Sequence, residues 1–237
     1  MTTQQNDTPL FSEDSSLLRG KVSRRTLFQR SAVTVAAAAP LAVLAACGSS
    51  AAGTSTGSSP SATPVFASLK ALSDNKAAFT EIMNDETAHV AFIKQALGTN
   101  ARPKPTFQKL EQNDIMTFAQ VSMALENTGV GAYLLAAPSI SNKAYLAAAG
   151  GILTIEARHA GFLDVLLGQP ISANGAFDKP LTQAAIVMAA SPFIASLNGG
   201  PDPSKPLGSD LDILNFALLL EYLEADFYTT NVPKFFP

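Results

Sequence analysis

The sequence predicts an all-α fold built around a bundle of four long helices. Four segments place apolar residues at three- and four-residue steps, and a Pro or Gly follows each of them, whereas no segment shows the alternation of a convincing strand. A further observation is chemical: each of the two histidines follows a glutamate by three residues, in Glu86–His89 and Glu156–His159. These features favour a helical bundle with a polar site in its interior.

The bounds of the helices follow from where each periodic run begins and ends. The link over residues 98–112 contains prolines and is long enough to run the length of a bundle, so the first two helices can be parallel. The short connection at 137–141 makes the next helix an antiparallel neighbour. A long connection, 169–209, precedes the last helix. The long helices are predicted at 65–97, 113–136, 142–167 and 211–230, with a short one near Leu181–Ala190.

Composition limits the classes of function. A chain of 237 residues, 47% of them hydrophobic and 15% charged, is expected to form one domain with appendages. The net charge of −3 and the lack of a basic cluster argue against nucleic-acid binding. The single cysteine, Cys47, excludes an internal disulfide, an iron–sulfur cluster and a cysteine-based zinc site. A homo-oligomer is compatible with the sequence.

The first 64 residues carry the features of an export signal and a tether. Arg24 and Arg25 lie in a motif typical of twin-arginine export, and an apolar run of about 15 residues follows. It ends in Leu-Ala-Ala-Cys, so residues 1–47 are predicted to be a lipoprotein signal with Cys47 lipidated; a plain cleaved signal is the alternative. Residues 48–64 have the composition of a flexible tether, and 65–230 form the bundle. This predicts an extracytoplasmic protein anchored to the bacterial cell membrane.

The two Glu-x-x-His pairs are the clearest candidate for a metal site. Residues three apart share one helix face, so each pair directs a carboxylate and an imidazole to the same place. Glu126 and Glu221 lie in apolar stretches, where a lone carboxylate would be costly to bury unless a cation offsets the cost, although an exposed position is the simpler alternative for each. Oxygen and imidazole ligands suit iron or manganese. The predicted ligands of two metal ions are Glu86, His89, Glu126, Glu156, His159 and Glu221.

Neighbouring residues supply further candidates. Tyr133 and Tyr228 each follow one of the two lone glutamates by seven residues, so they are predicted either to hydrogen-bond around the site or to pack in the core. Glu224 shares a face with Glu221 and is an alternative ligand. Glycines inside predicted helices cost stability, and close helix approach is one explanation for them. These glycines are Gly129, Gly131, Gly150 and Gly151.

Four stretches of the chain resemble the bacterial exported ferritin-like family that includes the desiccation-related proteins. They are Asn84–Phe92, Ala124–Tyr133, Gly151–Ala160 and Asp212–Ala225. The resemblance implies that Glu221, Glu86 and His89 hold one metal ion and that Glu126, Glu156 and His159 hold the other, with Glu86 and Glu156 bridging. In that family the helix like 211–230 comes first, so the resemblance implies a circular permutation. A truncated second copy, or a helix that serves a neighbouring molecule, is the alternative.

Three functions from different classes are consistent with the sequence. The first is a redox enzyme with two iron ions, or two manganese ions, that acts on peroxide or dioxygen in stress protection, as a peroxidase, a catalase-like enzyme or a ferroxidase. The second is a metal-binding or structural stress protein without turnover. The third is a helical scaffold that holds no metal.

Overall fold

The computed structural model describes residues 72–237. The predictions on Arg24, Arg25, Cys47 and the 48–64 tether fall outside these residues. Between residues 72 and 237, no helix has both the length and the apolar character needed to cross a membrane.

Helices make up most of the described chain, which confirms the all-α fold class. Single 3₁₀ turns follow the first, second and fourth of its helices. In chain order the elements are α1 (Lys76–Leu97), β1 (Thr106–Phe107), α2 (Ile115–Ala136), α3 (Lys143–Leu166), α4 (Gln183–Ala190), β2 (Ile194–Ser196) and α5 (Asp210–Phe235).

The four long helices form two antiparallel pairs. Helix α1 packs along α5, and α2 packs along α3 across the short connection at 137–142. Phe79 near the start of α1 stacks on Phe236 just after the end of α5, so these two helices run in opposite directions. Helix α5 therefore closes the bundle of its own chain.

Two buried asparagines on α5 hold the link between α1 and α2. The Asn215 side-chain oxygen accepts a hydrogen bond from the Arg102 backbone N–H at 2.7 Å, and that of Asn231 accepts one from the Gln112 N–H at 2.8 Å. The asparagines lie 16 positions apart, or about 24 Å along the helix. The link thus runs alongside α5 for most of the bundle, and this returns the chain to the end where α1 began. As expected from the length of the link, α1 and α2 are parallel.

The hydrophobic core of the described chain has two large parts, with a polar layer between them, and a small third cluster of Ala136, Ile140 and Ile213. One part holds a cluster of aromatic rings in which Phe118 lies 5.0 Å from Phe79 and 5.6 Å from Phe227, measured between ring centroids. The other part contains Ile93 and Ile152. Burial of a large apolar side chain contributes roughly 1.5–3 kcal/mol, so these clusters hold the helices at fixed positions around the layer.

Three details of the fold differ from the sequence-based prediction. The helix predicted over 65–97 is interrupted: residues 74–75 form a turn, and α1 begins at Lys76, because Ser73-Asp74-Asn75 favours turns. The last helix continues through Pro233 to Phe235, because the following aromatic residues pack against Phe118. The prediction also missed two short strands, β1 and β2, which pair antiparallel between two connections far apart in the chain. Strands of two or three residues are too short to show an alternating pattern in the sequence.

Candidate metal site

All six predicted ligand residues lie in the polar layer, where α1, α2, α3 and α5 meet. Each is buried: the glutamates are at most 1% exposed, and the histidines are at most 8% exposed. The helices position them because each site residue lies between an apolar residue of one core cluster and an apolar residue of the other. On α1, for example, Ile82 precedes and Ile93 follows the Glu86–His89 pair.

The first group of candidate ligands is centred on His89. Its Nδ1 atom lies 3.3 Å from a Glu86 oxygen, 3.3 Å from Glu156 Oε1 and 3.2 Å from Glu221 Oε2. These carboxylates come from three different helices. One imidazole nitrogen can donate a single proton, so three oxygens around it exceed what hydrogen bonding requires. The group Glu86, His89, Glu156 and Glu221 has the spacing of a cation site.

The second group is centred on His159. Its Nδ1 atom lies 3.1 Å from Glu86 Oε1 and 3.2 Å from Glu126 Oε2. Glu86 therefore directs one oxygen to each group, as a bridging carboxylate would. Glu156 is placed with the first group, whereas the family resemblance assigns it to the second metal ion as a bridge.

The two tyrosines bind glutamates across the bundle rather than on their own helices. The Tyr133 hydroxyl on α2 donates to Glu221 Oε1 on α5, and the Tyr228 hydroxyl on α5 donates to Glu126 Oε1 on α2, the latter at 2.6 Å. A spacing of seven residues puts a tyrosine about 10 Å from its own glutamate, too far for a bond. Because α2 and α5 are antiparallel, each tyrosine instead reaches the glutamate of the other helix. The second oxygen of each glutamate is left facing a histidine.

Asp85 is a site residue that the sequence-based prediction missed. Its Oδ2 atom lies 3.2 Å from His159 Nε2, the ring nitrogen that points away from the candidate ligands. A carboxylate there fixes the orientation and tautomer of a metal-binding histidine. The sequence feature that could have identified Asp85 is its position next to Glu86. The equivalent position before Glu156 is Ile155, so His89 has no such partner on the matching helix.

Glu224 is buried beside the site without belonging to either group. It is 3% exposed, and its carboxylate lies next to Glu156 on the side facing Gly129. Four ionised glutamates would balance two dications, so a fifth buried carboxyl is in excess. Burial and the nearby Glu156 raise the pKa of Glu224 well above its ordinary value, which favours the neutral acid.

Two of the four glycines singled out in the sequence, Gly129 and Gly131, are required by close approach. A Cβ atom at Gly129 would lie 2.5 Å from Glu156 Oε2, and one at Gly131 would lie 2.5 Å from Leu181 Cγ. The absence of a side chain at Gly129 therefore makes room for a candidate ligand, and at Gly131 for the long connection that precedes α4. A Cβ atom at Gly150 or Gly151 would meet open space, so close approach does not explain those two.

Gly129→Ala is expected to destabilise the protein by about 1–3 kcal/mol and to weaken metal binding, because the added methyl must displace the Glu156 carboxylate. Gly150→Ala is the matched control: it adds a methyl in open space and should raise stability by about 0.5–1 kcal/mol. Urea unfolding and metal titration of both variants measure the difference. Equal behaviour of the two variants would contradict the placement of Glu156.

The buried charges alter one another's protonation. Burial, reinforced by Glu126, raises the pKa of Glu86 to about 7. Burial alone would lower the pKa of His159, but the adjacent Glu126 and Glu86 carboxylates outweigh it and raise the pKa to about 11. Glu156 and Glu221 likewise raise the pKa of His89 far above its ordinary value despite its burial. The metal-free site thus holds protons that a metal ion must displace.

Metal uptake is therefore expected to release protons, and to release more at pH 6 than at pH 8. A metal ion binds the carboxylate and the neutral imidazole. Because the pKa of Glu86 is about 7, its side chain is mainly the neutral acid at pH 6 and must lose a proton when metal binds, whereas at pH 8 it is already mainly ionised. Affinity should rise with pH over this interval. Calorimetry in two buffers of different ionisation enthalpy measures the released protons; a binding heat that does not depend on the buffer would contradict the expectation.

The donor set fits a pair of metal ions. Within residues 72–237, the oxygens Glu86 Oε1, Glu156 Oε1, Glu156 Oε2 and Glu221 Oε2 are buried without a hydrogen-bond partner. Unpartnered buried carboxylate oxygens are costly, and cations would compensate for them. With imidazole nitrogens and carboxylate oxygens as the only donors, the cluster could hold iron or manganese better than a thiolate-preferring metal.

Comparison with known proteins agrees with this architecture. The family model described as a ferritin-like domain matches residues 49–169 and 209–236, which include all six candidate ligands and leave out the connection carrying α4. Searches of curated proteins and of solved structures gave no significant match. The family match covers more than half of the chain, and the chain therefore belongs to the ferritin-like domain family.

Proposed function

We propose that this chain is an exported, lipid-anchored protein whose dinuclear iron or manganese centre carries out redox chemistry on peroxide or dioxygen in protection against oxidative stress. One observation carries the metal-dependent part of the proposal. Four glutamates and two histidines from four helices converge in a buried layer, and several of their oxygens lack any other partner.

In this proposal each of the two histidine-centred groups would hold one metal ion, and Glu86, which faces both histidines, would serve both groups. Two adjacent iron or manganese ions would supply a centre that can exchange two electrons. Tyr133 orients Glu221, and Tyr228 orients Glu126, each by donating a hydrogen bond to the carboxylate. The Asp85 carboxylate orients the His159 ring by accepting a hydrogen bond from its Nε2.

The core clusters on either side exclude water from the site, which strengthens the electrostatic interactions within it. With Cys47 as its single cysteine, the chain has no thiolate set for an iron–sulfur electron carrier. Electrons must therefore come from an outside donor, or the reaction is a dismutation.

The proposal is tested by consumption of peroxide and dioxygen with protein loaded with iron or manganese. Glu156→Gln should bind less metal and lose most of the activity, because Glu156 lies 3.3 Å from His89 in the first group. Glu111→Gln, at an exposed side chain far along the link, is the control and should behave like the unmodified chain. Tight metal binding without turnover would favour the non-catalytic alternative, and equal rates for both variants would refute the enzyme.

Export is proposed from the sequence around Arg24, Arg25 and Cys47. The twin-arginine pathway carries folded proteins, and a bound metal ion stabilises the folded state. Replacing both arginines with lysine is expected to leave a metal-loaded precursor in the cytoplasm. Fractionation followed by metal analysis of each fraction measures this, and normal export and lipidation of the variant would contradict it.

We further propose that the helix order is permuted relative to the exported, desiccation-related members of the family. The Lys76 side chain at the start of α1 donates a hydrogen bond to the backbone carbonyl of Pro237, so the end of α5 lies beside the start of α1. A chain in which α5 came first would need only a short loop to enter α1. A re-ordered chain with residues 209–237 joined ahead of residue 72 should therefore fold and bind metal; failure to fold would count against the permutation.

A further inference from the structure

A small apolar cavity lies in the bundle next to the candidate metal site. Its volume is about 30 Å³, and it lies among residues of α1, α2, α3 and α5. Its lining includes Ala136, Ala149 and Ala217, and these short side chains leave space that larger residues would fill. The surface that the lining presents to the cavity is apolar.

The cavity lies one helical turn from the candidate ligands on three helices. Ile93 follows His89 by four residues, Ile152 precedes Glu156 by four, and Ala217 precedes Glu221 by four. Four residues span about 6 Å along a helix. On α2 the lining residue is Tyr133, whose hydroxyl donates to Glu221. Tyr133 therefore forms part of the wall between the cavity and the site.

The lining extends from the buried interior to the surface of the bundle. At the inner side Ile93 and Leu214 are buried, at 2% and 8% exposure. At the outer side Phe92 on α1 is 46% exposed, and Ala148 on α3 is half-buried. A molecule can thus enter between α1 and α3 and come within a turn of the ligands.

The apolar lining favours binding of an apolar molecule over a polar one. Hydrogen peroxide that entered the cavity would lose its hydrogen bonds with water, at a free-energy cost of roughly 1–3 kcal/mol for each unsatisfied group. The two tyrosine hydroxyls of the lining do not compensate, because Tyr133 donates to Glu221 and Tyr145 donates to the Ala96 carbonyl at 3.4 Å. Dioxygen has no such cost, and apolar cavities stay dry and accept small apolar molecules.

We propose that this cavity binds dioxygen and delivers it to the metal site, so that dioxygen rather than peroxide is the oxidant that enters by this route. The delivery of dioxygen to the metal site rests on the proposed redox function, but binding of a small apolar gas in the cavity can be measured without any turnover. Xenon is a suitable probe, because it occupies apolar cavities of this kind.

The binding test records methyl NMR spectra of the full chain under xenon pressure. The methyl signals of Ile93 and Ile152 should shift with xenon. Ala149→Leu fills the cavity and should abolish the shift, whereas Ala147→Leu, at an exposed position of the same helix that does not line the cavity, should leave it unchanged. If Ala149→Leu fails to fold, Ala148→Leu at the outer side tests the same point. Absence of the shift in the unmodified chain, or its persistence in the filled variant, overturns the proposal.

The delivery test uses the metal-loaded protein. Filling the cavity should slow dioxygen consumption severalfold and leave peroxide consumption unchanged, relative to Ala147→Leu. Equal slowing of both reactions, or of neither, overturns delivery. If the protein consumes neither substrate, the proposed function fails, while a xenon shift that Ala149→Leu removes still supports the gas-binding cavity.

Discussion

Glu86→Gln is expected to abolish binding of both metal ions, reducing the metal content from about two ions per chain to nearly none. Glu86 is the residue common to both candidate ligand groups, with one oxygen 3.3 Å from His89 Nδ1 and the other 3.1 Å from His159 Nδ1. An amide retains the size of the side chain but removes the negative charge that a dication needs. The measurement is metal analysis after dialysis, combined with circular dichroism to show that the helices remain.

Variants that lose one ion provide the comparison. Glu221→Gln should lose only the ion near His89, and Glu126→Gln only the ion near His159, because each lies in one group. Glu224→Gln should lose less metal than either, since Glu224 lies in neither group. If Glu224→Gln removes an ion while Glu221→Gln does not, the assignment of ligands on α5 is wrong. Retention of two ions by Glu86→Gln would rule out a shared carboxylate.

Truncation before Ser209 is expected to give an aggregating protein that binds little metal. Helix α5 supplies Glu221 and several fully buried side chains, among them Phe227 and Leu218, each contributing roughly 1.5–3 kcal/mol. A typical domain is stable by only about 5–15 kcal/mol, so loss of the helix exceeds what the bundle can withstand. The exposed faces of α1 and α2 would then form a large apolar patch. Sedimentation and metal analysis measure the outcome.

A soluble truncated protein with two metal ions per chain would show that α5 does not close the bundle of its own chain. The control is removal of the last residue alone, Pro237, which is exposed and leaves the aromatic cluster around Phe118 and Phe227 intact. That variant should remain soluble and bind metal.

The sequence predicted the helices, and the six residues that meet in the polar layer, because both depend on local spacing. A histidine three residues after a glutamate must share its helix face, whatever the rest of the chain does. Apolar periodicity likewise marked the bundle, and the lengths of the connections indicated which helices are parallel. The predicted end of the last helix at residue 230 is wrong because the cost of Pro233 is local, whereas the compensating aromatic packing is not.

Contacts between segments distant in the chain were decided only by the tertiary structure. The spacing put Tyr133 and Tyr228 on the faces of Glu126 and Glu221, but only the antiparallel packing of α2 and α5 pairs each tyrosine with the other helix's glutamate. Asp85 gains its contact with His159 in the same way, across 74 residues of chain. Helical periodicity determines which face a side chain occupies. Which residue it meets depends on how far each helix is shifted along its neighbour, and that shift is set by packing of the whole core.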